Sequence, residues 1–270
     1  MIARPLSVAR AISRPAQAAV GAPAQSASLA LSNLRGLAIA LVLATHAGVA
    51  YLASAPAQPR FDQPPYLWVA FPIVDRQRWL GFDIFCASQD IYLMGLLFFL
   101  SGLFCFAGME RDGAVGFLRR RFARLGLPLI FGVAVMMPLA LYPTYRLSAS
   151  DPGLAAYASA YLALPFAPCG QMWFLGVLLA LTVAAVAMRF LLRPTILHLG
   201  RLSQAFEDKP ARAFIAFALL SIAAYAPLAL VFTPFRWVDW GPFALQLSRP
   251  ALYALYYGAG LCVGAVGLGA

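Results

Sequence analysis

The stretch Leu34-Arg35-Gly36-Leu37-Ala38-Ile39-Ala40-Leu41-Val42-Leu43-Ala44-Thr45-His46-Ala47-Gly48 sets two basic side chains in an otherwise apolar run. Continued to Leu52, the run has the ~20 residues that a helix needs to cross the hydrocarbon core of a bilayer. Arg35 and His46 stand eleven positions apart. At ~100° per residue they share one face of the helix, separated by ~16 Å along its axis. A charged side chain deep in the membrane costs on the order of 2.5–3.5 kcal/mol on insertion scales, so an ionisable group there needs a partner or a polar cavity and is a candidate functional group. The structural alternative is a histidine that hydrogen-bonds a neighbouring helix. Histidine suits proton transfer because its unperturbed pKa is ~6.5. A pocket opening to the cytoplasmic end, with His46 as general base on an acceptor hydroxyl, is the functional reading of the pair.

The rest of the chain repeats the apolar pattern. Of 270 residues, 62% are hydrophobic and 11% charged, where a soluble domain has ~25% charged. Such a chain lacks the charge to cover a soluble surface, so lipid must cover it. The sequence predicts an all-α, polytopic transmembrane helix bundle with about six spans: 34–52, 90–108, 125–142, 172–192, 213–232 and 250–270. Residues 1–32, rich in Ala, Ser and Pro, read as a flexible cytoplasmic tail, and 33–270 as the transmembrane domain. Residues 53–89 form a proline-rich loop with Trp68 and Trp79 suited to the membrane interface. The last run reaches Ala270 without a charged flank, which reads as a domain incomplete at its C-terminus.

Charge orients the bundle. With the N-terminus in the cytoplasm, fourteen Lys and Arg residues fall inside and six outside, which fits the positive-inside bias. The net charge of +10 is thereby explained by topology and anionic headgroups, without nucleic acid as a partner. Cys86, Cys105, Cys169 and Cys262 lack metal-ligand spacing, and no metal site is expected. Cys105 and Cys262 read as small hydrophobes within spans. Cys86 and Cys169 fall in loops assigned to the same side, where a disulfide is one possibility.

Several further residues carry two readings. Ser101-Gly102 permits close helix approach, or Ser101 serves as a site residue. Arg119-Arg120-Arg121-Phe122-Ala123-Arg124 anchors topology, and its guanidinium forks also match phosphate oxygens. Trp173 is an interfacial anchor or a site residue. His198, in a cytoplasmic loop, reads as solvated or facing headgroups.

Taken in order, Leu34-Arg35-Gly36-Leu37-Ala38 leading to His46, Phe98-Phe99-Leu100-Ser101-Gly102, Phe117-Leu118-Arg119-Arg120-Arg121 before Pro128, and Trp173-Phe174-Leu175 resemble acyltransferase family 3. Arg35 and His46 match the family's Arg-x10-His motif, and Arg121 and Arg124 its RxxR pattern. Trp173-Phe174-Leu175, with no Glu nearby, looks more like the glucan-modifying branch. The resemblance implies a multi-pass protein of the inner membrane that moves an acetyl- or succinyl-type group from acyl-CoA to a hydroxyl of a carbohydrate or lipid-linked glycan. It implies His46 and Arg35 as catalytic residues. Arg121, Arg124, Ser101 and Trp173 are the candidate donor-binding residues. Acyl-CoA is a substrate, no cofactor is held tightly, and membrane lipids are the other partners. Family members are usually longer, which again points to a missing C-terminal part. The rival reading is a transporter or flippase for an anionic solute, with Arg35 and His46 lining its path. A third is a non-catalytic scaffold.

Overall fold

A computed structural model describes residues 22–206, 208–240 and 243–267. Helix α1 runs from Ala22 to Gly48, so it begins within the stretch expected to be tail; residues 1–21 lie outside the described residues. Helix α2 spans Leu80–Leu103, ten residues earlier than the sequence reading places it. Trp79, with extended backbone, immediately precedes it. The polar residues Asp83, Ser88 and Gln89 are therefore inside the helix, and not ahead of it, and Asp90 is near its middle instead of at its start.

Next come α3 (Cys105–Arg121), α4 (Leu127–Phe131) and α5 (Met137–Ser148). Gly113, at φ 65°, breaks α3 in two, a backbone conformation that glycine reaches without steric penalty. Wide π turns at Phe122–Gly126 and Gly132–Met136 precede α4 and α5. Each turn ends two residues before a proline, Pro128 or Pro138. A proline supplies no N–H and its ring crowds the carbonyl four residues back, and the widened turn accommodates both defects. The continuous stretch Cys105–Ser148 has 44 residues, far longer than one crossing needs. Its charged third, Glu110 to Arg124, belongs at the membrane surface, and the apolar stretch from Leu125 onward is the part long enough to cross.

Short α6 (Leu154–Leu162) leads to α7 (Trp173–Ala187), α8 (Arg189–Gln204), α9 (Pro210–Phe232) and α10 (Pro250–Val266). His198, expected in a loop, is inside α8. Among the described residues five helical stretches are long and apolar enough to cross a membrane. The expected sixth span is α10, which has 17 residues and stops short of the ~20 of a full crossing. One antiparallel hairpin, absent from the all-helical expectation, joins β1 (Trp237–Trp240) to β2 (Phe243–Gln246), with Trp237 opposite Gln246.

The most extensive helix pair is α2 with α10. A Cβ at Gly102 would collide with the carbonyl oxygen of Tyr257, one at Gly260 with that of Phe99, and one at Gly264 with that of Leu103. Gly260 and Gly264 form a Gly-x-x-x-Gly contact, in which small residues let two backbones touch. Ser101 is buried beside this contact. Helix α9 buries no residue and touches the bundle through α10, with Phe217 edge-on to Tyr256 at 4.9 Å; its apolar surface is left for lipid.

The 53–79 segment forms a layer over one end of the bundle. Asp83 accepts hydrogen bonds from the backbone N–H groups of Ala53 (2.7 Å) and Ser54 (3.0 Å), pinning the segment to α2. Trp68 is buried at 1% exposure, stacked on Phe61 at 4.7 Å and donating to the Phe61 carbonyl. Its expected place at the lipid interface is thus replaced by the core of this layer, which Tyr145 and Tyr157 complete. Trp79 remains exposed.

All four cysteines are free. Cys86 is in α2, where its thiol donates to the Thr45 carbonyl at 3.7 Å, and is not in a loop beside Cys169. Burial, with Asp239 nearby, pushes the Cys169 thiol up to about 11. Because thiolate is the reactive form, Cys169 at pH 8 should react with iodoacetamide roughly 100-fold more slowly than an ordinary free cysteine. Peptide mass spectrometry over a labelling time course measures this; labelling of folded protein at the ordinary rate would show that the thiol is not desolvated.

Candidate active site

His46 lies near the end of α1 and is exposed at the wall of a cavity of about 250 Å³. Five elements build that wall. From α1 come Val42, Thr45 and His46, and from α2 Gln89, Asp90, Leu93, Met94 and Leu97. These residues recur at the three- and four-residue intervals of single helix faces. The start of α7 contributes Trp173 and Phe174, with Gln171 from the turn before it. The hairpin gives the paired residues Trp237 and Gln246, and Arg249 and Tyr253 come from the start of α10.

The wall is aromatic on one side. Tyr253 stacks on Phe98 at 4.5 Å and on Trp173 at 5.7 Å, and Trp173 meets Trp237 at 5.4 Å with an interplanar angle of 77°. Polar groups punctuate the remainder. The Gln171 amide is 3.4 Å from His46 Nδ1. Arg249 donates from Nη1 to Asp90 Oδ1 at 2.9 Å and from Nη2 to Asp90 Oδ2. Asp90 and Arg249 are the site residues that sequence reasoning misses. By sequence alone Asp90 reads as the first residue of its span and Arg249 as a loop charge. The available signal is an acid in the middle of a 24-residue apolar helix, which demands a cationic partner.

The other sequence-predicted residues gather at the opposite end of the α1–α2 pair. Arg35 lies over the Phe104 ring at 4.8 Å. Arg121 donates to Ser101 Oγ at 3.2 Å and to the Ser101 carbonyl at 3.0 Å. Arg35 and Arg121 therefore bracket the last turn of α2. Arg124 is exposed one turn further on. Arg120 pairs with Asp112, and Arg193 with Glu110 at 3.4 Å, so α3 and α8 meet at this basic end. His46 and Trp173 share the cavity; Arg35, Ser101, Arg121 and Arg124 do not line it. Arg35 lies against the residue that ends α2, and His46 lines a cavity together with α2 residues from Gln89 to Leu97. Ser101 is held by Arg121, and no general base among the described residues is bonded to its hydroxyl. No group of His, Cys, Asp and Glu residues able to hold a metal ion occurs among the described residues.

Five apolar helical stretches long enough to cross a bilayer, with a basic cluster at one end of the α1–α2 pair and a cavity lined by His46 at the other, define a multi-pass membrane protein. The family model for the acyltransferase domain of acyltransferase family 3 matches residues 28–268, and the chain belongs to that family. No curated protein and no solved structure matches it significantly.

Proposed function

We propose that this membrane acyltransferase resides in the inner membrane with its N-terminus in the cytoplasm, and moves an acetyl- or succinyl-type group from acyl-CoA to a hydroxyl of a carbohydrate or lipid-linked glycan. The observation that carries the reading is the placement of His46 in an aromatic-walled cavity with a few polar side chains at one end of the α1–α2 pair, with Arg35, Arg121 and Arg124 at the other. The basic end suits the phosphates of a CoA donor, because guanidinium groups bind phosphate oxygens through charge-assisted hydrogen bonds. The cavity suits an acceptor with hydroxyls and carbon-bound ring faces. Donor and acceptor then approach from opposite ends of the α1–α2 pair.

In this scheme His46 Nε2 removes the proton of the acceptor hydroxyl as its oxygen attacks the thioester carbonyl. The carbon–oxygen bond forms, the carbon–sulfur bond breaks, and the imidazolium returns the proton to the departing thiolate. The Gln171 amide nitrogen stands 3.4 Å from Nδ1; with the amide turned the other way, its oxygen accepts a hydrogen bond from Nδ1–H, which fixes the imidazole and leaves the Nε2 lone pair for catalysis. Arg35 orients the donor at the basic end of the pair.

The purified protein, given acyl-CoA labelled on the acyl group, should release free CoA only when a hydroxyl acceptor is present. Uptake of an anionic solute into proteoliposomes with no CoA release would favour the transporter reading instead.

A further inference from the structure

The Asp90–Arg249 pair is asymmetric. The Arg249 side chain keeps 11% of its exposure and that of Asp90 55%. The arginine is the more buried member, and both residues line the cavity that His46 also lines. Both carboxylate oxygens meet the guanidinium, and Nη1 reaches the Asp90 carbonyl as well, at 3.3 Å. A bidentate fork of this kind fixes a carboxylate in one orientation. Asp90 keeps more than half of its side-chain exposure, so it is the member of the pair that a ligand in that cavity can reach.

We propose that Asp90 binds the hydroxyl groups of the acyl acceptor, and that Arg249 is a positioning residue that holds the Asp90 carboxylate in place. The proposal rests on the acyl-transfer reading given above. An ionised carboxylate is an acceptor-only group with more lone pairs than one arginine occupies, so it takes hydrogen bonds from hydroxyls while still paired. Trp173 and Trp237 stand beside it at a steep mutual angle and offer apolar faces to the C–H surface of a sugar ring. Gln171 adds an amide to the same wall, whereas Gln89 and Gln246 are buried and already bonded, Gln89 to Ser88 and Tyr92 and Gln246 to the Pro234 carbonyl. A polyol held by Asp90 presents a neighbouring hydroxyl to His46, which lines the same small volume.

The test measures transfer from labelled acetyl-CoA by the purified full chain to a panel of gluco-oligosaccharides and glycerol, with KM determined separately for donor and acceptor. Asp90→Asn should raise the acceptor KM by about 10-fold or more, the effect of weakening a hydrogen bond to a charged group, and leave the donor KM within about 2-fold. Arg249→Lys keeps the charge but loses the fork, and should raise the acceptor KM in the same direction by a smaller factor. Because a lone partner of a buried pair can unfold a protein, Asp90→Asn/Arg249→Gln removes both charges together. That double variant should remain monodisperse and show the acceptor defect. An unchanged acceptor KM in folded Asp90→Asn or in the double variant overturns the proposal and leaves the acyl-transfer reading standing. A donor KM that rises equally also overturns it. Failure of the unaltered protein to transfer to any member of the panel overturns both.

Discussion

Replacing His46 by alanine should lower acyl transfer by about 10²- to 10⁴-fold, the usual worth of a positioned general base, with little change in the amount of folded, inserted protein. His46 is exposed at the cavity wall, and its side chain meets the Gln171 amide. Truncation there opens space in an existing cavity and breaks no core packing. His46→Gln keeps a polar side chain of similar reach but has no group that titrates near neutral pH, and should be as inactive as alanine. Initial rates of labelled transfer, read beside size-exclusion profiles of each variant, measure the effect. Near-normal transfer by a well-folded His46→Ala protein would remove His46 from the chemistry and restore its reading as a helix–helix contact.

Gly260→Leu should be among the most damaging single changes outside the site. The obstacle to a Cβ at Gly260 is the Phe99 carbonyl oxygen with the Leu103 nitrogen beside it, all backbone of α2. No rotamer change relieves a clash with backbone, so α2 and α10 must separate. Overpacking a tight core costs about 1–3 kcal/mol, occasionally more, and here the upper end applies. The separation would also move Asp90 away from Arg249 and open the cavity, so activity should be lost with stability. Gly258, on the same helix, has open space where a Cβ would stand. Gly258→Ala should therefore be neutral or slightly stabilising, by up to about 1 kcal/mol from helix propensity. Thermal midpoints in detergent for the two variants decide the matter: similar values for both would mean that α2 and α10 are not in backbone contact.

Much of this architecture is written in the sequence because lipid is a demanding solvent. A spanning segment must satisfy its backbone internally, so long apolar runs such as those at Leu34 and Ala213 can be read as helices without tertiary information. The shared face of Arg35 and His46 follows from helical geometry alone. The start of α2 is not legible in this way. Gly81, Asp83, Ser88, Gln89 and Asp90 lower the local hydropathy, and only the folded chain shows that Asp83 holds the start of the preceding loop segment and Asp90 meets Arg249. Trp68 illustrates the same limit: its type suits an interface, yet Phe61, which lies seven residues before it, takes it into a core. The site is half legible. His46 and Trp173 come from motif and depth, whereas the pairing of Asp90 with Arg249 joins residues 159 positions apart and depends on the α2–α10 glycine contact to exist.

The most direct measurement is the fate of the acyl group itself. Purified protein is incubated with acyl-labelled CoA and a glycan acceptor, and the acceptor is recovered and analysed by mass spectrometry. A base-labile ester on an acceptor hydroxyl, formed by the unaltered protein and missing with His46→Gln, is the result expected from a cavity in which His46 activates that hydroxyl. An unmodified acceptor and intact acyl-CoA after incubation with folded, unaltered protein would contradict it.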